Sequence, residues 1–229
     1  MVKVNRGRPI DADKQQQQKI KLLDAALELL AEKSYRNITI RELAQCAEVN
    51  AAMVAYYFSN KEGLFIALLD RMSKQHFVNM KQVLQADNPI KIFIDTMLNM
   101  LCHNQSFARL VHDEFLTQDS ALRDAFMERF PKRMAKILPK IIFDNTDITD
   151  MKAAKYSAFT LITMIITPFI GEPVRKQAWH ISNEELKDPA WAKHIYQTFM
   201  FGCGKTAPKS KQSNQQNQLS QAIEESSDE

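Results

Sequence analysis

The chain has 229 residues, of which 45% are hydrophobic, enough for one or two domains with a substantial core and too apolar for a chain that stays unfolded. Only 5 glycines and 8 prolines, among abundant Leu, Ala, Lys, Gln, Glu and Met, favour helices over a sheet. The net charge is +3, and residues 1–80 hold 12 Lys/Arg against 9 Asp/Glu while the remainder is balanced, so the basic excess lies at the N-terminal end.

Three cysteines, Cys46, Cys102 and Cys203, have neither disulfide nor zinc spacing. They fit a reducing cytoplasm, and no metal or cofactor is expected. No charged-then-apolar leader opens the chain, and the longest apolar run, 156–171, contains Pro168 and is short for a membrane span. The expectation is a soluble cytoplasmic protein. Paired catalytic carboxylates, a nucleophile elbow and a phosphate loop are all missing from the sequence, which argues against an enzyme. His112, Asp113 and Glu114 are consecutive and would face different ways on a helix, so they make no metal triad.

In chain order, residues 1–13 form a basic arm. Within it Arg6-Gly7-Arg8-Pro9 resembles the core of an AT-hook, whose arginines lie in the narrow, electronegative minor groove. A first long helix starts at Asp11 or Asp13 and keeps Ile20, Leu23, Leu27 and Leu30 at helical spacing to about Lys33. Thr39 with Glu42 is a capping box, so a second helix begins there, with Ile40, Leu43, Ala44 and Ala47 as its apolar face. Asn50 caps a third helix, in which Val54, Tyr57 and Phe58 point inward and Ala52, Met53 and Tyr56 outward. Two short helices with a tight turn, the second showing its first turn outward, suit a DNA major groove. Asn60 caps a further helix whose first turn carries Lys61, placed to meet a phosphate.

The run AALELLAEKSYRNITIRELAQCAEV followed by AYYFSNKEGLF closely resembles the N-terminal DNA-binding domain of the TetR family of bacterial transcriptional regulators. Relatives usually have glycine at the positions of Ser34 and Glu48, and often a phosphate-contacting tyrosine at that of Ala55. The resemblance implies an all-α protein: an N-terminal three-helix helix-turn-helix domain, 14–62, and a C-terminal helical ligand-binding and dimerisation domain, 63–203. It implies phosphate contacts from Thr39, Tyr56, Tyr57 and Lys61, and base-edge contacts near Arg41, Asn50, Ala51, Ala52 and Met53. Arg6 and Arg8 would occupy the flanking minor groove.

Beyond residue 63 a long helix with Leu64, Leu68, Met72 and Phe77 runs to about Leu84. Asn88-Pro89 restarts the chain as an apolar helix to about His103, and Asp119 or Ser120 starts one running towards Leu138. Met97, Met100, His103, Phe107, His112, Glu114, Phe126 and Phe130 combine flexible, aromatic and a few polar side chains, the makings of an adaptable pocket, although methionines and aromatics at this spacing are more often core. Residues 141–150 read as a loop. Two late helices, one with Ala158, Ile162 and Ile165 and one with Trp191, Ile195 and Phe199, would pair with their symmetry mates in a homodimer or else close the monomer core. After Gly202 the composition turns to Lys, Ser, Asn and Gln, a disordered tail at 204–229.

Two functions follow. In one, the chain is a dimeric repressor on a palindromic double-stranded DNA operator, released by a small, partly apolar effector. In the other it is an architectural, partner-recruiting DNA-binding protein without such an effector.

Overall fold

The computed structural model describes residues 12–104, 107, 110 and 120–202; Arg6, Arg8, His112, Glu114, Cys203 and the tail lie outside them. The described residues are all-α: a helix-turn-helix unit followed by a helical C-terminal domain. The N-terminal unit comprises α1 (Ala12–Glu32), a 3-10 turn (Tyr35–Asn37), α2 (Ile40–Cys46) and α3 (Ala52–Phe58). Helix α4 (Lys61–Leu84) leads from it into α5 (Pro89–His103). There follow α6 (Ala121–Arg129), α7 (Pro131–Asp144), α8 (Met151–Ile170), α9 (Glu172–Gln177), α10 (Asn183–Lys187) and α11 (Pro189–Phe201).

The starts were written locally. Asn88 accepts from Lys91 N with Pro89 in the first turn, Ser120 accepts from Arg123 N, and Asp188 accepts from Ala190 N ahead of Pro189. Gly202, at φ 70, ends α11. Two elements differ from expectation. The helix foreseen to run from Ser120 towards Leu138 is two helices, because Pro131 forces Phe130 out of helical geometry, to φ −120 and ψ −74. The second of them, α7, continues to Asp144 through residues read as loop, since Ile141 and Ile142 are buried.

Two cores organise the chain. The first joins Leu22, Ala26, Leu29 and Leu30 of α1 to Leu43, Val54 and the first turns of α4. It does not stop at residue 62: Leu122, Ala125 and Phe126 of α6 belong to it, so the C-terminal domain props the back of the helix-turn-helix unit. Each leucine buried there contributes roughly 1.5–3 kcal/mol. The second core gathers Phe93, Ile94, Leu138, Ile142, Leu161 and Ile165 from α5, α7 and α8. Ile20 and Ile40, expected on apolar faces, are 41% and 37% exposed; Leu22 and Leu43, both at 0%, hold those helices instead.

Polar groups fasten α4 to its neighbours. Arg129 donates through Nε and Nη2 to the two oxygens of Asp70 at 2.6 and 3.1 Å, a bidentate pair. Ser73 Oγ donates to Arg129 O at 3.0 Å and accepts from Arg133 Nη1 at 3.1 Å. Towards α1, Arg71 pairs with Asp24 at 2.6 Å. Farther along, buried Arg175 donates to Pro168 O, Ile181 O and Asn183 Oδ1, closing the carbonyl end of α8 onto α9 and α10.

Candidate nucleic-acid interface

Helix α2 is set at its start by the Thr39–Glu42 box: Thr39 N donates to Glu42 Oε2 at 2.8 Å and Glu42 N donates to Thr39 Oγ1 at 3.2 Å. The other carboxylate oxygen takes Lys33 Nζ at 2.6 Å, tying the chain just beyond α1 to α2. The Lys33 bond, then those from Thr39, hold the Glu42 carboxyl down at about 2. Because its folded value lies below the ordinary 4.5, its contribution to stability is complete above about 4.5 and lost as pH falls towards about 2. Urea midpoints of wild type and Glu42→Gln should therefore differ by a constant amount at neutral pH and converge over that acidic window.

The turn between α2 and α3 carries a backbone conformation that sequence left open. Glu48 sits at φ 53, the left-handed region where a Cβ is strained, whereas Ser34 is extended at φ −65 and ψ 152 and needs no glycine. Glu48 recovers little, since its contact with Lys21 is 4.0 Å and exposed. Glu48→Gly should raise unfolding stability by about 1 kcal/mol, measured by chemical denaturation.

Asn50 Oδ1 accepts from Ala52 N at 2.8 Å, so the side chain is used in starting α3. Around it Thr39, Arg41, Ala51, Ala52 and Tyr56 are exposed, with Tyr56 at 63%. These residues stand exposed on α2, α3 and the caps before them. Residues 22–68 match the family described as bacterial regulatory proteins, tetR family. This N-terminal unit matches the TetR family. It is 42% identical over 65 residues to an uncharacterized HTH-type transcriptional regulator, YvkB, of Bacillus subtilis, a stretch that is 28% of this chain and 32% of that protein. The chain thus spans about a third of that relative. A longer match is the fatty acid metabolism regulator protein of B. subtilis, 23% identical over 178 residues, covering 73% of this chain and 91% of the other. Among solved structures, FadR from B. subtilis in complex with stearoyl-CoA superposes with a TM-score of 0.64 at 18% identity, over 81% of this chain and 99% of that one.

Within the TetR unit, three expected contacts are differently placed. Met53 is half-buried and packs on the first core, because it lies only one residue, about 100° round the helix, from buried Val54, at the edge of the inward face. Tyr57 is also half-buried, and its hydroxyl donates to Gln18 Oε1 of α1 at 2.6 Å. Lys61 turns back onto the 3-10 turn: its Nζ donates to the carbonyls of Tyr35 at 3.0 Å, Arg36 at 3.4 Å and Ile38 at 2.9 Å, and stands 4.4 Å from the Tyr35 ring centroid. Its ammonium is thus engaged in fixing the approach to Thr39. Gly63, which composition did not single out, is a close-approach residue: a Cβ there would meet Phe58 O at 2.0 Å. The signal was present, as no other glycine falls between Gly7 and Gly171.

The residues grouped as a TetR-type pocket do not line one cavity. Phe107, Phe126 and Phe130 pack on one another at 5.4–6.1 Å between centroids and close the first core. Met97 is core in the second. Met100 borders a cavity of about 270 Å³ between α1, α4 and α5, while exposed His103 borders a groove of about 780 Å³ between α5, α10 and α11. That groove is floored by Leu98, Cys102 and Leu186 and rimmed by Lys91, Lys193 and Tyr196.

The expected dimer residues also divide. Ala158, Ile165 and Ile195 are 5%, 0% and 2% exposed in the monomer's own core, while Ile162, Trp191 and Phe199 are half-buried beside it. A helix apolar all round hides which face is inward. The outward face of α8 carries Tyr156 and Phe159, 64% and 72% exposed. By length and composition α8 is the one helix among the described residues that could cross a membrane, but its opposite face packs into the second core.

Proposed function

We propose that the chain is a dimeric transcriptional repressor that binds a palindromic operator and releases it on binding a small, partly apolar effector. The observation that carries the reading is the TetR-type α2–α3 unit, with Arg41 of α2 and Tyr56 of α3 exposed and small Ala51 and Ala52 outward where α3 begins. Arg41 would supply the hydrogen-bonding readout of guanine, and Ala51 and Ala52 apolar contact with thymine methyls. Thr39 and Tyr56 would meet phosphates, and Arg6 and Arg8 the minor groove beside the site.

Two copies would join through the outward face of α8, with Trp191 and Phe199 of α11 at its border, giving a four-helix interface. That arrangement sets the recognition helices about one turn of DNA apart. The effector class is supported by a relative of the same fold solved with stearoyl-CoA. Acyl compounds are therefore the first to screen, and the open groove between α5, α10 and α11 has room for part of one. Release needs only a preference of a few kcal/mol for the state with the wrong helix spacing.

Genomic fragments bound by the purified chain test the reading. A shared inverted repeat, released when an acyl compound is added, is the expected result. Fragments without sequence preference would overturn it, and a repeat that no compound releases would favour the architectural alternative.

A further inference from the structure

The cavity between α1, α4 and α5 joins the two functional parts of the chain. Leu27 comes from the DNA-binding unit, Arg71, Met72, Gln75 and His76 from the connecting helix, and Thr96, Met100 and Asn104 from α5 and its C-cap. Its chemistry is one-sided. Among the described residues it has one guanidinium and several neutral donors, and no carboxylate.

His76 is the unexplained member. The residue is 4% exposed, yet among the described residues its ring has no hydrogen-bond partner, only an edge contact with Phe77 at 5.0 Å and a tilted one with Phe130 at 6.2 Å. Among the described residues only Trp191 Nε1 is a fully enclosed side-chain nitrogen without a partner, so the His76 nitrogens, unpaired within the protein, are not fully enclosed. Burial, and then the nearby Arg133 guanidinium, hold its pKa down at about 4, so at neutral pH it carries one N–H donor and one acceptor. Arg133 itself is engaged elsewhere, donating to Ser73 Oγ and lying 3.6 Å from the Phe77 centroid. Arg71 gives Nη1 to Asp24, which leaves most of its five N–H donors for a second acceptor.

Size narrows the class. At about 270 Å³ the cavity falls below the roughly 300–1,000 Å³ typical of drug-sized ligands, and far below what a coenzyme thioester needs. We propose that it binds a short-chain monocarboxylate, with the carboxylate held by Arg71, Gln75 and His76 and the hydrocarbon end against Leu27, Met72 and Met100. The inference rests on the effector-responsive reading above and deepens it. An acid bridging α1 to α4 and α5 would bias the angle at which the DNA-binding unit leaves the C-terminal domain, and so the spacing of two recognition helices in a dimer.

Sodium hexanoate, titrated into the full chain, is the probe. Saturable movement of the His76 ring signals in nitrogen-15 spectra, with a rise in melting temperature, is expected; 1-hexanol, which has the chain without the charge, should bind about tenfold more weakly or less. His76→Phe, and independently Met100→Trp, which fills the cavity from its apolar side, should each weaken hexanoate about tenfold or more while leaving operator binding without acid intact. No saturable response, equal binding of hexanol, or unchanged hexanoate affinity in both variants would overturn the proposal. A chain that binds hexanoate as described but no operator would support the cavity and overturn the regulator reading.

Discussion

Replacing Gly63 by alanine should unfold or severely loosen the DNA-binding unit, with a loss of about 3 kcal/mol or more in unfolding stability. The added Cβ would stand 2.0 Å from Phe58 O and 3.2 Å from Phe58 C, both backbone atoms at the end of α3, where no side chain can swing aside. Relief requires that α3 and α4 separate. Asn60 stands in the path of that motion, since its Oδ1 accepts from Gly63 N at 2.8 Å, and Leu64 and Phe65, both fully buried, would leave the first core with it. Calorimetry on Gly63→Ala should show the drop, and fluorescence anisotropy on an operator duplex should show affinity falling by more than tenfold, because α3 carries the outward surface. Wild-type stability would mean that α3 and α4 are not packed this closely in solution.

The same junction shows what sequence could and could not reveal. Capping residues act within three positions of themselves, so the start of α2 at Thr39, of α5 at Asn88 and of α11 at Asp188 could be read directly. The outward Tyr56 followed from helical periodicity in the same way, whereas Arg41 came from the resemblance to the TetR family. Lys61 did not, because the carbonyls that hold it lie 23 to 26 positions earlier and only the folded turn brings them together. Glu48 and Ser34 both stand where relatives usually have glycine, yet only Glu48 has the positive φ. The neighbouring helix geometry makes that choice, not either residue. His76 escaped notice for another reason: an isolated histidine on an amphipathic helix gives no hint of whether its ring will meet a carbonyl, a ligand or neither.

Helix α8 posed the harder problem, since apolar residues cover nearly its whole circumference and sequence could not separate core from interface. The structure separates the buried face from the exposed one, and so supplies a paired test of the proposed dimer. Phe159 is 72% exposed, and Asp in its place meets solvent in the monomer, so Phe159→Asp should leave monomer unfolding within about 1 kcal/mol of wild type. In a dimer closed through α8, the same carboxylate would be taken out of water against an apolar partner face, a loss of roughly 2 kcal/mol or more at hot-spot scale. Sedimentation should then show monomer at concentrations where wild type is dimeric. Operator affinity should fall by about thirtyfold or more, because one half-site cannot hold the protein alone. Ile165→Asp, only two turns away but at 0% exposure, should instead destroy the fold of the C-terminal domain. If Phe159→Asp stayed dimeric and bound the operator normally, the outward aromatic face of α8 would not be where two copies meet.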